Sequence, residues 1–433
     1  MAWDEERVLA LAPDPASGAA GRGLAVPARW TGLGASDAAV WGACRGSGTN
    51  PYQVCVDLGG DLAPAAFRCS CPSRRSPCKH ALGLLLLWVQ DAVPAAAEPE
   101  WARAWRAERA GRRSARAPGA PPRDPEAAAR RAEQRAQRVE AGAAELREWL
   151  ADRIRGGLGS AASDGAEELY GVAARMVDAQ APGLASGLRR AAAGIGRGRD
   201  WPGRLLSELA LLHVLAEAGA RLAELPADLA ATVRTRLGFP VETADVLANG
   251  ERVADDWLVA GVADEVTERL TTRRTWLRGR ASGRPALLLS FAPPGQPLPG
   301  VLPVGHRVRG ELAFYPGTVP LRALAADVDE PVRSEPPVGD GVGAACASFA
   351  AALAADPWLD RWPLLLAGVA PVPDGDGWAL VDADGAALPL AERADPWPLL
   401  AVSAGAGVTV AGEWTGGGLR PLTVWEQDRA VRL

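Results

Sequence analysis

Cys69, Cys71, Cys78 and His80 form the pattern C-x-C, six residues, C-x-H. Thiolate and imidazole are the donors Zn²⁺ prefers, and four of them complete a tetrahedral shell. Side chains alternate along an extended chain, so Cys69 and Cys71 project from one face while Ser70 points away. Cys78 and His80 fall nearly on opposite sides of a regular helix, at about 100° per residue. The helix is therefore expected to begin near His80, with Cys78 in the preceding turn and Pro72 and Pro77 shaping the loop. One structural zinc would then tie a strand to the start of a helix. A full shell leaves no position for water, which argues against metal-assisted hydrolysis. Zinc binding of this kind contributes about 10–16 kcal/mol, coupled to folding.

Three thiolates on Zn²⁺ leave one net negative charge, and Arg68, Arg74, Arg75 and Lys79 lie around them with no acidic neighbour between positions 67 and 80. Those cations support the thiolates, bind phosphate, or do both. A second basic element follows, with eleven Arg against four acidic residues between positions 101 and 138. Within it Arg112 and Arg113 belong to the densest Arg run, and Trp101, Arg103, Trp105 and Arg106 combine aromatic and cationic groups. Such groups either pack on the preceding module or stack on single-stranded nucleic acid. A joint basic patch of Arg68, Arg74, Arg75, Arg112 and Arg113 would support nucleic acid, whereas neutralisation by the chain's own carboxylates would support protein docking.

The ligands need a small scaffold. Ala39–Cys44 and Tyr52–Asp57 read as strands around a Gly- and Asn-containing turn, a third extended piece covers 65–68, and 81–90 reads as a short helix. Leu82 to Val89 is apolar on every side and must be covered all round. The strands cover one side, and Trp101 and Trp105, or a partner protein, are expected on the other. Cys44 and Cys55 of the hairpin are spare thiols.

The motif C-x-C-x(n)-C-x-H, preceded by strands and followed by Ala81-Leu-Gly-Leu-Leu-Leu-Leu-Trp88, resembles a SWIM zinc finger. Trp41-Gly-Ala-Cys-Arg-Gly-Ser-Gly48, Pro51-Tyr-Gln-Val54 and Cys69-Ser-Cys-Pro-Ser73 resemble the stand-alone bacterial SWIM proteins. The resemblance implies that Cys69, Cys71, Cys78 and His80 ligate zinc and that the module binds DNA or proteins. It also implies a neighbourhood of MoxR-type AAA+ ATPases and von Willebrand factor A (VWA) proteins, hence an adaptor role.

At 433 residues the chain has room for about three domains at roughly 150 residues each. The expected class is α+β multidomain: a zinc-stabilised ββ-β-α module with N-terminal strands over 1–95, an Arg/Pro-rich helix and linker over 96–123, a helical bundle over 124–238, and a β-rich region over 239–433 that can divide into two subdomains. Leu146, Trp149, Leu150 and Ile154 open the helical spacing of the bundle, which should hold four or five helices. Beyond Pro240 short alternating runs with frequent Pro and Gly predict strands. A weak echo links Arg361-Trp-Pro-Leu-Leu-Leu366 with Pro396-Trp-Pro-Leu-Leu400.

The remaining groups argue for little chemistry. Cys346 reads as a small core residue in a helix, His213 as a core or groove histidine, and His306 as a strand-surface residue. The Gly194–Gly198 loop lacks a phosphate-loop ending, and Asp382-Ala-Asp384-Gly385 fits a hairpin turn better than a calcium loop. The net charge of −5 argues against a protein built mainly to coat nucleic acid. Sparse cysteines, a start without the positive end of a signal peptide, and a most intense apolar run, Leu84–Val89, far too short to span a bilayer predict a cytoplasmic protein without a membrane segment. The sequence thus predicts a non-enzymatic zinc adaptor that binds DNA or another nucleic acid and/or a protein, with a purely protein-docking subunit of an AAA+/VWA system as the alternative and an enzyme in the C-terminal half as the third reading.

Overall fold

The computed structural model describes residues 3, 5–12, 15–45, 51–58, 66–73, 77–115, 125–198, 200–267, 270–293, 298 and 302–433. The chain opens with α1 (Glu5–Ala10) and α2 (Pro15–Arg22), then a four-stranded antiparallel meander of β1 (Trp30–Ala35), β2 (Ala39–Cys44), β3 (Tyr52–Asp57) and β4 (Ala66–Cys69). α3 (Lys79–Val89) and α4 (Glu100–Ala115) follow. The short runs of this meander alternate, so each strand has two apolar faces to cover. Val40, Cys44, Val54 and Val56 pack with the leucines of α3, while Ala39, Trp41 and Cys55 pack with Ala102, Trp101 and Trp105 of α4.

This arrangement corrects the expectation that Trp101 and Trp105 cover the free side of α3. They lie across the sheet from it. The outer side of α3 is taken by α1 and α2, with Val8 and Leu24 in the shared core and Trp3 edge-on to Trp88 at 6.1 Å. Close approach is possible because Gly21 of α2 meets α3 where a Cβ would stand 2.8 Å from the Leu82 Cβ, and Gly83 of α3 meets the turn after α2 where one would stand 2.9 Å from the Leu24 Cβ. Leu82, Leu84, Leu85, Leu86 and Leu87 are consequently all fully buried in a module too small to cover them with the sheet alone.

A helical bundle follows: α5 (Pro125–Gly156), α6 (Gly165–Asp178), α7 (Pro182–Gly194), α8 (Trp201–Ala220) and α9 (Ala227–Leu237). Its core joins Leu146 and Leu150 to Leu169, Met176, Leu184, Leu188, Leu209 and Leu237. The Gly194–Gly198 stretch is the connection from α7 to α8.

α10 (Thr243–Asn249) leads into β5 (Glu251–Val266), β6 (Thr271–Gly279), β7 (Pro285–Ala292), β8 (His306–Phe314), β9 (Ala323–Val328) and β10 (Val332–Arg333). α11 (Val342–Ala355) leads into β11 (Trp362–Asp374), β12 (Gly377–Val381), β13 (Ala387–Pro389), then α12 (Trp397–Ser403), β14 (Val408–Thr415), β15 (Gly418–Glu426) and β16 (Arg429–Arg432). Both sheets follow one path. The first strand is central, the next two continue as a meander on one side, and the fourth returns to pair on the other side: β7-β6-β5-β8 with β9 and β10 beyond it, and β13-β12-β11-β14-β15-β16. A preceding helix and the same strand path therefore occur twice.

The short sequence echo has a different meaning. Its first copy lies in β11 and its second in α12, where Pro398 sits in the first turn and suits a helix start. Cys346 lies in α11, as a helix was expected to hold it, but it is exposed rather than in the core. Asp382 closes the β12–β13 turn by accepting the amides of Asp384 and Ala386.

The two sheets pack face to face through Leu258, Ala260, Leu365, Ala411 and Trp425. Between them Arg274 of β6 donates Nε–H to Glu413 of β14 at 2.7 Å, and Trp276 donates to the same oxygen at 2.7 Å. The bundle joins this unit through Arg236 to Asp356 at 2.7 Å and the Trp358 indole to the Leu211 carbonyl at 2.9 Å. Among the described residues, no helix is long and apolar enough to cross a membrane.

Candidate metal centre

β4 ends at Cys69, and its pleat turns Phe67 and Cys69 toward α3 and Arg68 toward the opposite face, where Arg68 pairs in register with Cys55. Ser70 points away from the cluster and accepts the Gln53 amide at 2.9 Å, extending the pairing with β3 and presenting Cys71 on the same side as Cys69. Cys78 is the N-cap of α3, so His80 falls in the first helical turn and both side chains reach one point. The four ligand atoms of Cys69, Cys71, Cys78 and His80 lie within 4.8 Å of one another.

His80 turns Nδ1 inward, 3.8 Å from Cys69 Sγ and 3.9 Å from Cys78 Sγ. A tetrahedral zinc with bonds of about 2.3 Å to sulfur and about 2.0–2.1 Å to nitrogen has S···N edges of about 3.6 Å. The donor set and its spacing suit one zinc ion. Cys78 and His80 are 5% and 6% exposed, so the ion would sit at the edge of the core rather than in open solvent.

The thiols do not ionise alike. Cys78 is pulled down to about 3, first by its hydrogen bond with Cys69; burial opposes this, and His80 and the Ala81 amide at the start of α3 add to it. Cys69 is pushed up by that shared bond and then by burial, and Cys71 is pushed up chiefly by burial. Zinc ligation takes the thiolate form of all three cysteines and so competes with protons for them.

Cys44 and Cys55 stand outside the four-atom cluster. Cys55 faces α4, and burial pushes its thiol up to about 12. Cys44 lies on the α3 side, where its thiol contacts the Arg45 carbonyl at 3.8 Å. Neither is needed to complete the shell.

The cations divide by face. Lys79 is exposed between the two inward-turned ligands Cys78 and His80, and it lines a cleft of about 920 Å³ together with Arg29, Arg45, Tyr52, Cys71 and His80. No Asp or Glu lines this cleft among the described residues. Arg68, expected beside Lys79, belongs to the opposite face of the sheet. Arg74 and Arg75, and the side chains of Arg112 and Arg113, lie outside the described residues. Arg106 and Arg109 of α4 are spent on the chain's own carboxylates, with Arg109 2.7 Å from Asp57 and Arg106 3.0 Å from Glu98. Arg29 and Arg45 were missed because nothing in their local sequence marks them, and only the folding of β1 and β2 brings them to the finger.

Elsewhere the signals are weak. His213 is half-buried in α8 with no hydrogen-bond partner for its Nδ1 among the described residues, and His306 of β8 contacts the Val304 carbonyl at 3.2 Å. Neither adjoins a second metal cluster among the described residues.

Comparison with known families agrees with this geometry. Residues 54–88 match the SWIM zinc finger, and residues 134–237 match the SWIM-associated four-helix bundle domain. No curated protein and no solved structure matches the chain.

Proposed function

We propose that this chain, which joins a SWIM zinc finger to a SWIM-associated helical bundle, is a non-catalytic adaptor that binds nucleic acid through the zinc module. The bundle and tandem sheets then serve a protein partner. The observation that carries the reading is the set of exposed cations beside the zinc centre, with no carboxylate lining their cleft among the described residues. Cations that have no ion-pair partner among the described residues are available to phosphates, and each phosphate contact releases counterions. The closed ligand set supports a structural ion that shapes this surface. A MoxR-type AAA+ ATPase or a VWA protein is the partner class implied by the bacterial resemblance.

A salt titration tests this. Zinc-loaded full-length protein is mixed with short single- and double-stranded DNA, and steep loss of affinity with rising salt supports phosphate contacts. A purely protein-docking finger is the second reading, favoured by the pairing of Arg106 and Arg109 with Asp57 and Glu98. Absence of DNA binding even at low salt would overturn the first reading in favour of the second.

A further inference from the structure

We propose that the cleft beside the zinc centre is the site where a single strand of nucleic acid is held, with Arg29, Arg45 and Lys79 on its phosphates and Tyr52 as its aromatic wall. The inference rests on the nucleic-acid reading above and names its site and ligand form. The cleft lies between the N-terminal segment and the zinc knuckle. Three different pieces of chain supply its cations: Arg29 from the turn before β1, Arg45 from the end of β2, and Lys79 from the start of α3. All three are exposed, and none has an ion-pair partner among the described residues.

Backbone and metal ligands anchor this charge. The Arg45 amide donates to the Arg29 carbonyl at 2.9 Å, so the two residues are tied at their main chains while both side chains line the cleft. Lys79 is anchored on both sides by zinc ligands. Tyr52 lies with its ring centroid 4.9 Å from that of His80, which attaches the aromatic wall to the centre as well. Zinc binding would thereby order the cleft without the ion touching the ligand.

The shape argues for a single strand. A volume of about 920 Å³ is that of a concave ligand site, whereas a duplex is read by a helix or ribbon inserted into its groove. Cations combined with an aromatic side chain are the elements that hold unpaired nucleotides. On the opposite face of the sheet, among the described residues, Trp101 and Trp105 are packed against the strands and Arg106 and Arg109 are paired with carboxylates.

The test uses zinc-loaded full-length protein, a fluorescent oligo-dT strand and the corresponding duplex. The double variant Arg29→Gln/Arg45→Gln should weaken oligo-dT binding at least tenfold. It should also flatten the plot of log affinity against log salt by about 1.4, from about 0.7 per lost single-strand phosphate contact. Arg68→Gln, on the other face, should leave affinity within about twofold, since it removes no such contact. Arg29→Lys/Arg45→Lys should restore most of the binding and serves as the second variant if the first loses zinc. Wild-type binding that the double Gln variant retains at full strength and slope would overturn this site while leaving the nucleic-acid reading intact. Preference for duplex would overturn the single-strand assignment, and no wild-type binding at low salt would overturn both.

Discussion

The amide of Arg45 donates to the carbonyl of Arg29 at 2.9 Å, tying two residues 16 positions apart to one edge of the cleft beside the zinc ligands. Two like charges held together in this way are stabilised by something of opposite sign, and the chain places no carboxylate in that cleft among the described residues. The same module treats its other cations differently, pairing Arg109 with Asp57 and Arg106 with Glu98 on the far face. Arg106 and Arg109 on the far face are neutralised by the chain's own carboxylates, whereas the cations of the cleft have none beside them among the described residues.

Cys78 connects helix start and metal, so Cys78→Ser should lose zinc and destabilise the first module together. Zinc content should fall well below one per chain, and the module should unfold as much of the roughly 10–16 kcal/mol of binding is lost. The bundle has its own core from Val139 to Leu237, so its helical signal should persist in the same thermal scan. Unchanged metal content would contradict the ligand assignment.

Zinc affinity should fall as pH falls. Zinc takes thiolates, and Cys69 and Cys71 hold their protons above the ordinary thiol value while Cys78 gives its proton up readily. Lowering pH therefore favours the protonated thiols over the metal. Each proton displaced on binding corresponds to about a tenfold loss of affinity per pH unit, read by chelator competition between about pH 6 and 8. A flat profile would contradict it.

Asp57 is the hinge point of the α4 contact because it accepts from Arg109 at 2.7 Å and lies 3.6 Å from Arg106. Asp57→Asn should cost about 1–3 kcal/mol, since both guanidinium groups are partly buried and lose their charged partner. Hydrogen exchange should localise the effect to α4. A double cycle with Arg109→Gln that shows no coupling would contradict the contact.

Glu413 should be the least replaceable carboxylate of the tandem sheets. It is 1% exposed and faces Arg274, so Glu413→Ala leaves a buried guanidinium poorly compensated and should cost about 3–5 kcal/mol. Burial works to raise its carboxyl, but hydrogen bonds from Arg274 and Trp276 and the nearby Arg361 hold it below the ordinary value. Its contribution is therefore full above the unfolded value of about 4.3 and is lost as pH falls through the lower folded one. Unfolding curves of wild type and variant should converge in acid.

The metal site was legible because its chemistry is local: alternation pairs Cys69 with Cys71, and a helix start pairs Cys78 with His80. Strands β2, β3 and β4, the zinc helix and the bundle followed from period and turn residues. What failed was long-range placement. Whether Trp101 covers α3 or the reverse face of the sheet depends on α1 and α2, of which α1 is only six residues long and α2 is rich in Ala and Gly, so that neither carries much apolar signal. Arg29 and Arg45 likewise acquire meaning only through the β1–β2 pairing. Cys346 was misjudged because small apolar neighbours make α11 read as buried all round, while only part of that helix meets β11.

X-ray absorption at the zinc edge of the purified full-length protein tests the account most directly. One zinc per chain is expected, with three sulfur neighbours at about 2.3 Å and one imidazole nitrogen at about 2.0–2.1 Å. Cys71→Ser should remove one sulfur from that shell. A shell containing water oxygen, or fewer than three sulfurs in the wild type, would contradict a closed structural centre formed by Cys69, Cys71, Cys78 and His80.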